Sequence, residues 1–195
     1  KNIIIINIRE NIIHRINNLL FILRFFIENK IIINLVKKNI NKLKLIDGRG
    51  KLHNLNLNNI KLKFIDESYN ANPDTMKQSI VYFNDLKLKK FNKILILGNM
   101  NELGVNKITF HLEIIKFLEK FSFYKVILCG ELYNSAIRKL DNIKNDFIYK
   151  NTSKELYSYV KRNIHNNAIL LVKCSNSTEV NKFVKMFMKK NISRG

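Results

Sequence analysis

From residue 61 onward, apolar positions follow two alternating rhythms. Short unbroken apolar runs occur at 62–65, 94–97, 126–129, 147–149 and 169–172. Their length suits buried strands. Between the runs the apolar residues fall at helical spacing. Met76, Ile80 and Phe83 share one face, Ile108, Leu112 and Ile115 another, and Leu156, Val160 and Ile164 a third. Val180, Phe183, Val184 and Phe187 fit the i, i+3, i+4, i+7 template in full. Strands alternating with helices predict crossover units, hence a mostly parallel sheet with helices on both faces. The expected fold class is α/β and Rossmann-like, over residues 61–195.

The first part of the chain differs. Ile12, Ile16, Leu19 and Leu23 lie at helical spacing, as do Ile32, Leu35, Val36 and Ile40. Residues 11–42 therefore read as two helices, too few to bury their own apolar faces. With Lys1 rather than Met at its start, the segment 1–47 is expected to be the end of a preceding domain. Asp47-Gly48-Arg49-Gly50 breaks the pattern with a tight turn that presents Arg49. Residues 48–60 are expected to be a linker, its polar, Asn-rich part at 51–60 forming a loop or weak hairpin.

Charge changes this picture less than its size suggests. The chain of 195 residues carries a formal net charge of +20. Such a value points to nucleic acid or an anionic surface when it is clustered. Here the lysines are scattered, and the chain also holds 30 asparagines. Ile, Asn and Lys share AT-rich codons, so genome bias accounts for the charge, and no nucleic-acid partner is expected. Cys129 and Cys174 have neither CxxC spacing nor a nearby His. They are expected to be buried, inert thiols in a reducing compartment. No run reaches the roughly 18 apolar residues of a membrane span, and no cleavable leader is expected. The expected location is the cytoplasm.

Three loops carry candidate chemistry. Asp66-Glu67-Ser68-Tyr69-Asn70-Ala71-Asn72-Pro73 joins the first strand to a helix. Asn72 suits an N-cap and Pro73 the first helical turn. The helix N-terminus favours an anion, and a neighbouring carboxylate suits ribose hydroxyls. The second loop runs from Gly98 to Gly104, whose glycines permit a sharp turn and close backbone approach. It is neither GxGxxG nor GxxxxGK[ST]. In the third, Lys173 follows a strand and precedes Cys174-Ser175-Asn176-Ser177, a setting for a carboxylate or phosphate. His111, on a helix, is expected to be structural. No metal-ligand spacing or catalytic triad is evident.

In combination these loops resemble the Mur ligase family. The segment from Ile65 to Met76 is similar to that family's IDDSYNANPDSM signature. Residues 96–104 resemble its LGDMxELG segment with a following His at His111. Residues 171–175 resemble VKGSR, and Gly48-Arg49-Gly50 matches GRG. The branch with these motifs adds D-alanyl-D-alanine to UDP-N-acetylmuramoyl-tripeptide in peptidoglycan synthesis. The resemblance implies an ATP- and magnesium-dependent amide ligase, monomeric, with residues 1–47 a helical remnant of its central ATPase domain. It implies nucleotide contacts from Asn18, Arg49, Glu67, Asn70 and Asn72, and substrate contacts from Lys173 and Ser175. Arg15, Glu67, Asn99, Cys174 and Asn176 depart from the family pattern. No GxxxxGK[ST] is present, so ATP and magnesium would be held mainly by a segment outside this sequence, and this chain alone is expected to be inactive, with no catalytic residue of its own. Two other readings remain: a degenerate, non-catalytic relic of the ligase, and a basic nucleic-acid-binding module.

Overall fold

The computed structural model describes residues 13–30, 46–57, 59–88, 90–140 and 146–191, without the side chains of 13–15, 17 and 18. The chain divides into two compact units, Lys1–Leu45 and Ile46–Gly195. In the first, helix α1 spans Ile13–Glu28. Ile16, Leu19, Leu23 and Phe26 form its more covered stripe, whereas Phe21 and Phe25 are exposed. The second helix expected there lies outside the described residues.

The second unit holds a six-stranded sheet in the order β1-β2-β6-β3-β4-β5. The strands are β1 (Lys51–Leu57), β2 (Ile60–Glu67), β3 (Asn92–Gly98), β4 (Lys125–Cys129), β5 (Ile148–Lys150) and β6 (Ala168–Lys173). Five strands are mutually parallel, and only β1 runs antiparallel, as the first arm of a hairpin with β2. All five apolar runs thus lie side by side. Strand β1 gives the polar stretch at 51–60 its structure. At the sheet edge only one face is covered, so Leu55 and Leu57 point inward while Asn54 and Asn56 stay exposed.

Period-two alternation divides the central strands between two cores. Phe64, Ile94, Ile96, Leu170 and Val172 face α5 (Ser153–Asn163) and α6 (Glu179–Asn191). Ile65, Leu95, Leu97, Ile169 and Leu171 face α2 (Pro73–Asp85), α3 (Lys107–Leu118) and α4 (Glu131–Ile137). The result is three layers, helix–sheet–helix. The buried face of α3 is rotated from the one expected. His111, Ile114, Ile115 and Leu118 are buried, whereas Ile108 and Leu112 are only partly covered. A histidine with both ring nitrogens hydrogen-bonded is able to join a core, and His111 does so.

Strand order creates a switch point. The segments after β2 and β3 lead to α2 and α3 on one face. The segment after β6, which lies between them, leads to α6 on the other. Open α/β sheets bind ligands in the crevice at such a divergence, outside the carboxyl ends of the strands.

Candidate functional site

The three sequence-marked loops meet at this switch point. Asp66, the penultimate residue of β2, has its carboxylate buried and accepts three hydrogen bonds. Its Oδ1 takes the Ser68 N–H (3.0 Å) and hydroxyl (2.7 Å), and its Oδ2 takes the Gly48 N–H (3.1 Å). The Gly50 N–H donates to the Asp66 carbonyl, and the Tyr69 N–H to the Gly48 carbonyl. Three of these bonds bind the Asp47–Gly50 turn to the start of the signature loop, and the two from Ser68 brace that loop internally. Gly48 sits at φ +76°, and a Cβ there would lie 3.0 Å from Tyr69, so both conformation and space require glycine. The turn holds Arg49 with its guanidinium carbon 4.3 Å from the centroid of the Tyr69 ring. Both side chains are exposed.

Glu67 and Lys173 occupy the inside of the crevice. Their side chains are each 4% exposed, and Lys173 Nζ lies 3.2 Å from Glu67 Oε2. Lys173 also donates to the Asn70 carbonyl (3.2 Å), and the Ser79 hydroxyl of α2 donates to Glu67. One lysine thus fastens the strand end and the signature loop together. Asn70 itself is exposed. Asn72 caps α2: its Oδ1 accepts the Thr75 N–H (2.8 Å), and Thr75 Oγ1 accepts the Asn72 N–H (3.2 Å). With Pro73 in the first turn this is a capping box, as the local sequence predicts.

Ser175 joins all three loops. Its hydroxyl donates to the Ala71 carbonyl (3.2 Å) and accepts the Asn101 N–H (2.9 Å), while its own N–H donates to the Asn99 carbonyl. Asn181 of α6 donates to the Ser68 carbonyl at 2.8 Å. His111 fixes the second loop. Its Nε2 accepts the Met100 N–H (3.0 Å), so its proton sits on Nδ1 and points to the Lys107 carbonyl (2.6 Å). Burial lowers its pKa, the Lys107 carbonyl opposing, so the ring is neutral at pH 7 and acts as a brace.

Sequence reasoning missed Ser79 and Asn181. Each is a polar residue on an otherwise apolar helical face, beside Met76 and Ile80 or Val180 and Val184. That break in pattern was the available signal. Of the predicted site residues, Arg49, Glu67, Asn70, Asn72, Lys173 and Ser175 converge on one edge of the second unit. Asn18 belongs to α1 in the other unit, and its side chain lies outside the described residues. Cys129 and Cys174 are buried free thiols, and burial pushes each up to about 12. They are inert at neutral pH.

A hollow of about 600 Å³ adjoins the Gly48 turn and Tyr69, reaching His53 on β1 and Asn181 and Lys185 on α6. Its size suits a small ligand. Among the described residues no group of three or more His, Cys, Asp or Glu is placed to hold a metal ion. An exposed arginine beside a ligand-sized hollow does fit the outer rim of a phosphate-bearing nucleotide. No helix among the described residues is long and apolar enough to cross a membrane.

Fold and site define a Rossmann-like domain with its polar loops stapled at the switch point. The chain belongs to the Mur ligase family: the family described as "Mur ligase, glutamate ligase domain" matches residues 54–176. Among curated relatives, the UDP-N-acetylmuramoyl-tripeptide--D-alanyl-D-alanine ligase of Rickettsia prowazekii is 29% identical over 140 residues, covering 72% of this chain and 30% of that protein. The ligase of the same name from Buchnera aphidicola is 31% identical over 129 residues, covering 65% and 27%. The chain thus spans about a third of the length of these relatives or less. Among solved structures, MurF from Acinetobacter baumannii superposes with a TM-score of 0.74 at 16% identity, over 94% of this chain and 39% of that one. The MurF ligase from Thermotoga maritima, in complex with ADP, gives 0.60 at 20% identity, over 78% and 33%.

Proposed function

We propose that this chain supplies the closing, nucleotide-facing lobe of an ATP-dependent ligase that adds D-alanyl-D-alanine to UDP-N-acetylmuramoyl-tripeptide in peptidoglycan synthesis. The observation that carries this reading is the stapling of the signature loop to the Arg49 turn and to the Lys173–Ser175 loop. Such stapling fixes the edge before a ligand arrives, and preorganisation is what an electrostatic site requires. The relatives named for this reaction match over 140 and 129 residues of this chain.

The nucleotide, when bound, supplies the phosphoryl group that activates the tripeptide carboxylate. Arg49 offers a planar fork of donors to phosphate or ribose oxygens. Tyr69 restrains that guanidinium from one face, so less freedom is lost on binding. Asn70 adds an amide at the rim. Glu67, Lys173, Ser175 and Asn72 act through the loop they hold, as positioning residues. Closure of this lobe over its neighbour excludes water from the acyl phosphate. The lobe works in the cytoplasm.

A domain exchange tests the proposal. The matching C-terminal segment of the Bacillus subtilis ligase, a relative 28% identical over 136 residues, is replaced by residues 46–195 of this chain. Phosphate release that requires both the tripeptide substrate and the dipeptide supports the reading. A folded exchange enzyme that binds both substrates but releases no phosphate contradicts it and favours a relic.

A further inference from the structure

A second candidate site lies on the opposite edge of the sheet from β1 and the Arg49 turn. A groove of about 430 Å³ runs along α5, where Lys150, Lys154 and Arg162 line it around Tyr159. Lys150 Nζ sits 5.0 Å from the centroid of the Tyr159 ring. Lys125 Nζ sits 5.6 Å from the same centroid and 3.4 Å from the Tyr159 hydroxyl. One aromatic ring therefore holds two ammonium groups in place, and its negative face offsets part of their mutual repulsion. Lys154 and Arg162, eight residues apart on α5, extend the positive charge along about 12 Å of helix.

The single carboxylate of the groove, Glu155, accepts the Asn151 N–H at 3.0 Å. It stands against four cations, the three that line the groove and Lys125 beside Tyr159. Among the described residues of the second unit, the ion pairs Lys51–Asp47, Lys77–Glu113, Lys173–Glu67 and Lys182–Glu179 engage none of these four. Like charges held together in a cleft focus a positive potential and raise the local concentration of anions. An anion with one charge satisfies one or two of the four. An extended anion with several charges satisfies all of them, and an arginine at one end adds bidentate recognition of phosphate oxygens.

We propose that this groove binds a condensed phosphate, a di- or triphosphate group. The site is independent of the nucleotide edge at the switch point. The phosphate chain has two sources, a free polyphosphate or a nucleoside triphosphate. Isothermal titration calorimetry of the full chain with inorganic tripolyphosphate, at fixed ionic strength, reads the site directly. Saturable binding is expected at one site. The Lys150→Gln/Arg162→Gln variant is expected to weaken it at least tenfold. The control Lys87→Gln/Lys116→Gln, which removes two exposed charges elsewhere, is expected to change it less than twofold. Equal weakening in both variants would reduce the effect to net charge and overturn the site, as would undiminished binding in the first. Displacement of tripolyphosphate by ATP, lost in the groove variant, supports the site with a nucleotide as the source. Displacement by pyrophosphate alone supports it with a free polyphosphate.

Discussion

Lys173 meets Glu67 across 106 positions of sequence, and both charges are buried. A pair of this kind adds little net stability, but removing the lysine takes a close cation from a buried carboxylate. Lys173→Ala should therefore cost about 3–5 kcal/mol in urea unfolding. The double variant Glu67→Leu/Lys173→Met should recover most of that loss. A cost for Lys173→Ala no larger than that of an exposed lysine would mean the pair is open to water. His111 makes a prediction of opposite character. Its folded pKa lies below the ordinary 6.5, chiefly through burial. As pH falls through about 6.5 the unfolded chain takes up a proton that the folded chain refuses. Stability should be full above that pH and decline below it. His111→Gln should flatten the fall in urea midpoint between pH 7.5 and 5. Part of the slope should remain, because His53 is shifted the same way by burial and by Lys51.

At the scale of elements, Gly98 sets how closely α6 approaches β3. A Cβ there would lie 2.6 Å from Val180 and 2.7 Å from the Cys174 Cβ. Gly98→Ala should destabilise the chain by about 1–3 kcal/mol through overpacking, read as a lowered thermal midpoint. An unchanged midpoint would show that α6 shifts freely. The central parallel strands were legible because they are buried on both faces and read as continuous apolar runs, and half-buried β5 at the edge keeps a short run of its own. Strand β1 was legible only as one of two alternatives, a loop or a weak hairpin, because an edge strand covered on one face mixes Leu55 and Leu57 with exposed Asn54 and Asn56. The capping box of α2 was legible because it is local, from Asn72 to Thr75. The Glu67–Lys173 pair was not, since nothing in a sequence says which distant loops share an edge. Each residue was marked for ligand contact, and the fold turns the two toward each other.

For the whole molecule, the net charge of +20 has a local counterpart in the α5 groove, although most lysines remain scattered. The second unit supplies a prepared edge, but this sequence has no GxxxxGK[ST] loop to grip the β- and γ-phosphates. The isolated chain should therefore release no phosphate from ATP, even with the tripeptide substrate and the dipeptide present. Release above the enzyme-free rate in a phosphate assay would refute this. The most direct measurement of the central claim is the Arg49→Ala variant of the domain-exchange enzyme, assayed for kcat/KM toward ATP. The account predicts a fall of at least tenfold, about 1.4 kcal/mol of transition-state stabilisation, with the fold intact. An unchanged kcat/KM would mean that the stapled edge does not face the nucleotide.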